Sequence, residues 1–165
     1  NSSLMTLFVA KLKVAKMPSL RVRLATVMGL LVRHATFIAD ELADSGIVEA
    51  LAGALRDKTV PVRRRAASTL GELLFYIATQ QQDRQQAAAG LAGGAAGGED
   101  AWHISGAAVT QFLRLLRPGE DEVAQHYAVK TLENVASHDS HWTARFATEA
   151  TAGQLLQIAA AASGR

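Results

Sequence analysis

At 165 residues, with nearly half of them apolar and no cysteine, the chain can bury one packed domain but cannot build a disulfide framework or a cysteine-ligated zinc site. Aromatic residues make up only 5%, and small or straight-chain apolar residues dominate, which suits closely packed helices better than sheets. The net charge of +2 is too small to dictate a partner but is unevenly spread: residues 1–66 hold eleven Lys/Arg against five Asp/Glu, and residues 67–165 hold six against ten.

In chain order, Leu4, Met5, Phe8 and Leu12 mark a short amphipathic helix. Leu20, Leu24, Met28 and Leu31 follow, spaced +4, +8 and +11, as the stripe of a longer one. Thr36 to Ala43 is expected as a helix that opens the next unit. Ile47, Val48, Leu51 and Leu55, after Gly46, form a second short helix. The turn Asp57-Lys58-Thr59 and Pro61 signal a helix start. Val62, Ala66, Leu70 and Leu73 then repeat the long-helix stripe 42 residues after its first copy. Beyond residue 80 the chain becomes Gln-, Ala- and Gly-rich, and 87–100 are expected as a disordered insertion, because dense glycine disfavours a helix.

Gly106 opens a third short helix with Val109, Phe112, Leu113 and Leu116 on its stripe. Pro118-Gly119-Glu120-Asp121 makes the turn, and Glu120, Asp121 and Glu122 fit a helix dipole at its positive end rather than an acid/base pair. Ala124, Ala128, Leu132 and Val135 give the third copy of the stripe, 62 residues after the second. His141 to Glu149 is expected as another opening helix, with Trp142 and Phe146 packing between units. Gly153 to Ile158, with Leu155 and Leu156, begins a fourth short helix.

A short helix, a tight turn and a long helix recurring at about 42 residues is the armadillo/HEAT signature. The expected fold is therefore all-α: a right-handed superhelical solenoid of about three to four repeats. Its expected divisions are a partial repeat at 4–34, repeats at 36–80 and 81–138, and a partial repeat at 140–163. The absence of polar caps, and a start at Asn-Ser-Ser, imply a fragment of a longer array. With no cysteine and no apolar run of the ~18 residues that cross a membrane, the expected setting is cytoplasmic, without membrane partners.

Residues 126–146, HYAVKTLENVASHDSHWTARF, closely resemble a segment of the armadillo region in the Fused/Runkel-type kinases of the Unc-51-like group. Residues 56–80, RDKTVPVRRRAASTLGELLFYIATQ, resemble the same region one repeat earlier. The resemblance implies a parent serine/threonine kinase or pseudokinase associated with microtubules. It also implies partners and location in the cytoskeleton, phragmoplast or cilium, with roles in cytokinesis. The chain has no Gly-rich loop, Val-Ala-Ile-Lys, His-Arg-Asp or Asp-Phe-Gly, so it is expected to be non-catalytic and to bind no nucleotide or other cofactor.

If the long helices line a groove, the positions one turn apart along it are Arg64, Ser68 and Glu72 in the middle copy. They are His126, Lys130 and Asn134 in the last, and Val22, Thr26 and Leu30 in the first. Arg64, Ser68, Glu72, His126, Lys130 and Asn134 are the candidate partner-binding residues, for a protein partner and not a small molecule. Arg63, Arg64 and Arg65, in the first turns of a helix where the dipole disfavours cations, are a candidate anion site. The competing structural reading pairs them with Glu41, Asp44, Asp57 or Glu72. Nucleic acid is not expected, since aromatic interleaving is absent. His138, Asp139 and His141 lack the spacing of a metal motif, so no metal is expected. A solenoid that merely spaces other domains is the alternative function.

Overall fold

The structure is a computed structural model that describes residues 2–90, 102–138 and 143–163. Eight α-helices are present among them: α1 (Ser2–Val14), α2 (Pro18–Arg33), α3 (Ile47–Ala54), α4 (Val60–Gly90), α5 (Gly106–Leu113), α6 (Glu122–Ser137), α7 (Thr143–Phe146) and α8 (Glu149–Ser163). Short 3₁₀ segments occupy Asp40–Ser45 and Arg114–Leu116, and no strand occurs among the described residues.

The helices form two layers. The long helices α2, α4 and α6 pack side by side in that order, while α1, α3, α5 and α7 follow one another in a second layer. Contacts of α1 with α2 and of α3 with α4 join the layers. The long helices run parallel and in register with the repeat. The Thr69 hydroxyl donates to the Ala25 carbonyl across 44 residues at 2.7 Å, and the Tyr76 hydroxyl to the Arg33 carbonyl across 43 at 3.1 Å. All-helical layers stacked in this way are those of an α solenoid.

Local chemistry sets the helix starts. Pro18 sits in the first turn of α2, where its missing N–H costs nothing. The Ser105 side chain accepts from Ala108 N to cap α5, and Asp121 from Ala124 N to cap α6. Gly119, at φ +83°, makes the left-handed turn that brings Glu120 and Asp121 ahead of α6.

Burial follows position in the stack. All four stripe residues of α4 are buried, because that helix has a neighbour on each side. In α2, Leu24 and Met28 are buried, but Leu31 is half-buried and Leu20 is 44% exposed. In α6, Ala124, Ala128 and Val135 are buried and Leu132 only partly so. Leu4 and Leu156, both expected on packing stripes, are exposed instead.

Three sequence expectations need correction. Residues 36–39 of the expected Thr36–Ala43 helix are not helical, and a 3₁₀ turn begins only at Asp40. The Gln80 amide holds this stretch open by accepting from Ile38 N and donating to Ile38 O, both at 2.9 Å, so those backbone groups need no helical partner. Helix α4 continues through Gly90, so the first residues of the segment expected to be disordered, 87–90, are helical; Gln and Ala are strong helix formers and carry the helix past the core. The remainder of that segment, up to residue 100, lies outside the described residues. Within the expected His141–Glu149 helix, only Thr143–Phe146 forms α7 and Glu149 already begins α8, while 139–142 are outside the described residues.

The long helices approach closely at two glycines. A methyl group at Gly29 would meet the Thr69 hydroxyl at 2.8 Å, and one at Gly71 would overlap the Thr131 hydroxyl outright. Gly71→Ala is therefore expected to lower unfolding free energy by about 1–3 kcal/mol through overpacking, outweighing the ~1 kcal/mol helix-propensity gain of alanine. Urea denaturation reads the change, and adding Thr131→Ala should recover part of it.

Candidate functional site: the exposed face of the long helices

The face turned away from the short-helix layer is built from equivalent positions one repeat apart. Arg23, Arg65 and Tyr127 form one row, Thr26, Ser68 and Lys130 the next, and Leu30, Glu72 and Asn134 a third. Between α2 and α4 this face forms a shallow cleft lined by Thr26, Leu30, Arg33, Arg65, Ser68 and Glu72. Leu30 is 47% exposed there.

Of the candidate groove residues, Arg64 and Glu72 are committed to inter-helix ion pairs. Glu72 on α4 accepts from Arg33 on α2. Arg64 makes a two-point contact with Asp121, Nε to Oδ1 at 2.7 Å and Nη2 to Oδ2 at 2.6 Å. Ser68 is half-buried, and His126 is exposed with its ring tilted against Tyr127. Lys130 pairs with Glu133 at 3.2 Å on the surface. Asn134 is half-buried, and its carbonyl lies 2.6 Å from His138 Nδ1.

The arginine cluster is divided. Arg63 holds Glu120 through Nε and Nη2, at 3.1 and 2.9 Å, and donates to the Asp57 carbonyl at 3.0 Å. With Arg64 on Asp121, two members of the expected anion site are already neutralised. Their carboxylates come from the turn before α6 and not from Glu41, Asp44, Asp57 or Glu72, because Gly119 folds that turn onto the start of α4. Arg65 is exposed and makes no ion pair among the described residues.

Sequence reasoning missed the recurrence of this clasp. Arg21, 42 residues before Arg63, pairs with Asp57 in the turn before α4 just as Arg63 pairs with Glu120 before α6. The spacing of the two arginines in the sequence was the available signal. Two clefts flanking α6 were also unforeseen. One, of about 860 Å³, lies between α6 and α8 and is lined by Glu120, His126, Val129 and Ile158 among others. The other, about 300 Å³ and almost wholly apolar, is lined by Leu132, Val135, Phe146 and Leu155.

His138 is held by neighbours: its Nε2 is 3.2 Å from the Thr79 hydroxyl and its ring packs edge-on against Phe75. Asp139, His141 and Trp142 lie outside the described residues. Phe146 is buried edge-on against Phe112, joining α7 to α5. Among the described residues no group of His, Asp and Glu is placed to hold a metal, and no helix is long and apolar enough to cross a membrane.

These layers and the polar face of the long helices define a helical-repeat protein of solenoid type. Over 158 residues, 96% of its length, the chain is 38% identical to serine/threonine-protein kinase RUNKEL of Arabidopsis thaliana. It is 29% identical over 150 residues to serine/threonine-protein kinase ULK4 of Mus musculus. The chain is thus homologous to a region of Fused/Runkel-type kinases, spanning 12% and 11% of the length of these two relatives. No family model matches it, and no solved structure does.

The Arg64 hydrogen bond, with a further bond from Ala124 N, holds the Asp121 carboxyl down to about 2 from an ordinary 3.8, against the opposing effect of burial. Because the unfolded chain takes up this proton more readily, the stabilisation is complete above the ordinary value and is lost as pH falls toward about 2. Acid titration of the melting temperature should show this loss. Asp121→Asn should be less stable at neutral pH and should show a shallower decline over that range.

Proposed function

We propose that this chain is an armadillo-type interaction scaffold within a Fused/Runkel-like kinase or pseudokinase, and that it docks a segment of a protein partner across α2, α4 and α6. The observation that carries this reading is the shared face of three parallel long helices, where Thr26, Ser68 and Lys130 form one row across α2, α4 and α6, and His126, Lys130 and Asn134 stand at successive turns of α6. A partner crossing it would meet hydrogen-bonding groups at the spacing of packed helices, about 8–10 Å. Affinity would be spread over several repeats, with few dominant anchors.

The chain's own role in this reading is non-catalytic; any phosphoryl transfer belongs to other parts of the parent protein. Family resemblance alone supports microtubule-associated partners and a cytoskeletal, phragmoplast or ciliary location. A structural spacer is the second reading. The pairing of Arg64 with Asp121 and of Glu72 with Arg33 favours it at those two positions, which tie helices together.

Joint replacement of His126, Lys130 and Asn134 by Ala separates the two. Docking predicts at least about tenfold weaker capture of the partner, the sum of several modest contacts, with the melting temperature little changed. The partner is identified by cross-linking the wild-type chain in extract, and affinity is then measured with purified components. Retained affinity leaves the spacer.

A further inference from the structure

Resting on the docking reading, we infer that Arg23 and Arg65 form a two-arginine clamp for an acidic segment of the partner. They occupy equivalent positions, 42 residues apart, on α2 and α4, which pack in parallel register. Both are exposed, and neither makes an ion pair among the described residues. Packed helices place such positions about 8–10 Å apart, a span that an extended peptide bridges with carboxylates two or three residues apart at ~3.3 Å per residue.

The neighbouring charges explain why these two are left. The other arginines at the starts of α2 and α4 each have a carboxylate: Arg21 has Asp57, Arg63 has Glu120 and Arg64 has Asp121. Further along the same face, Arg33 takes Glu72. Arg23 and Arg65 point out beside these closed pairs, where a carboxylate from outside could receive a two-point guanidinium contact without breaking an internal pair. Exposed Leu30 lies two turns beyond Arg23, in the cleft that Arg65 also lines, and offers apolar contact. The chemistry that fits is a carboxylate-rich peptide carrying an apolar residue, bound with a marked salt dependence.

Fluorescence anisotropy with a labelled peptide of alternating Glu and Leu-Glu units, at low salt, tests the clamp. Arg23→Glu with Arg65→Glu should weaken binding by about tenfold or more, since each replacement removes a charge-assisted contact and adds repulsion. A charge-matched control of two exposed lysines off the rows of the long helices, Lys11→Glu on α1 with Lys16→Glu in the connection before α2, should change it less than about twofold, as a screened effect of bulk charge. Circular dichroism checks that all variants melt alike. Equal losses in both pairs, or no binding by the wild-type chain, overturn the clamp. So does displacement by duplex DNA at lower concentration than by unlabelled peptide, which would assign the arginines to nucleic acid. If the arginine pair leaves capture of the natural partner intact while the His126, Lys130 and Asn134 triple abolishes it, the acidic clamp fails and groove docking stands. If neither set affects capture, docking itself fails.

Discussion

The architecture depends on how closely parallel helices can approach. At Gly29 and Gly71 the absent side chain lets the next long helix bring a threonine hydroxyl against the backbone, Thr69 in one case and Thr131 in the other. Thr69 uses this proximity to donate to the Ala25 carbonyl, and Thr131 donates to Tyr127 within its own helix, so neither buried hydroxyl is left unsatisfied. The small residue on one helix and the β-branched polar residue on the next fix distance and register together. The apolar stripes then interlock with matching residues at matching heights. At the equivalent position of α6 stands Glu133, which is exposed and paired with Lys130. The far flank of α6 therefore cannot receive a neighbour in the same way, and it borders the clefts shared with α7 and α8.

A second layer of specificity is electrostatic. An arginine near the start of each of the first two long helices grips an acidic residue in the turn that introduces the next. These pairs are partly screened by solvent, so their effect on stability is modest, but they fix the angle at which each unit enters. The local dipole penalty for cations in a first helical turn is offset by the carboxylates placed opposite. Arginines that look like a ligand site in one dimension are in this way largely consumed by the fold. At the other end of α4 a different set of contacts closes the unit: Gln80 clasps the backbone of Ile38, and Arg84 pairs with Asp40 while lying over the Phe37 ring. Extending α4 past the apolar stripe is what places these side chains over the 34–45 connection.

Helix content, the order of short and long helices, the three matching stripes and the turns at Asp57–Thr59 and Pro118–Asp121 were legible from the sequence, because each rests on local periodicity or capping chemistry. The candidate face was legible as a set of positions, since residues one turn apart on a helix share a side. The occupation of those positions was not. That Arg63 and Arg64 would find Glu120 and Asp121, 57 residues away, depends on how the Gly119 turn swings back over α4, and no local pattern encodes that. The irregular path through 36–39 was likewise decided by Gln80, 42 residues from Ile38. Which stripe residues stay exposed depended on the number of neighbours each helix acquired. The sequence by itself determined the helices and their faces through short-range periodicity; only tertiary packing decided which charges pair internally and which, such as Arg23 and Arg65, remain open to solvent, because pairing requires approach in space.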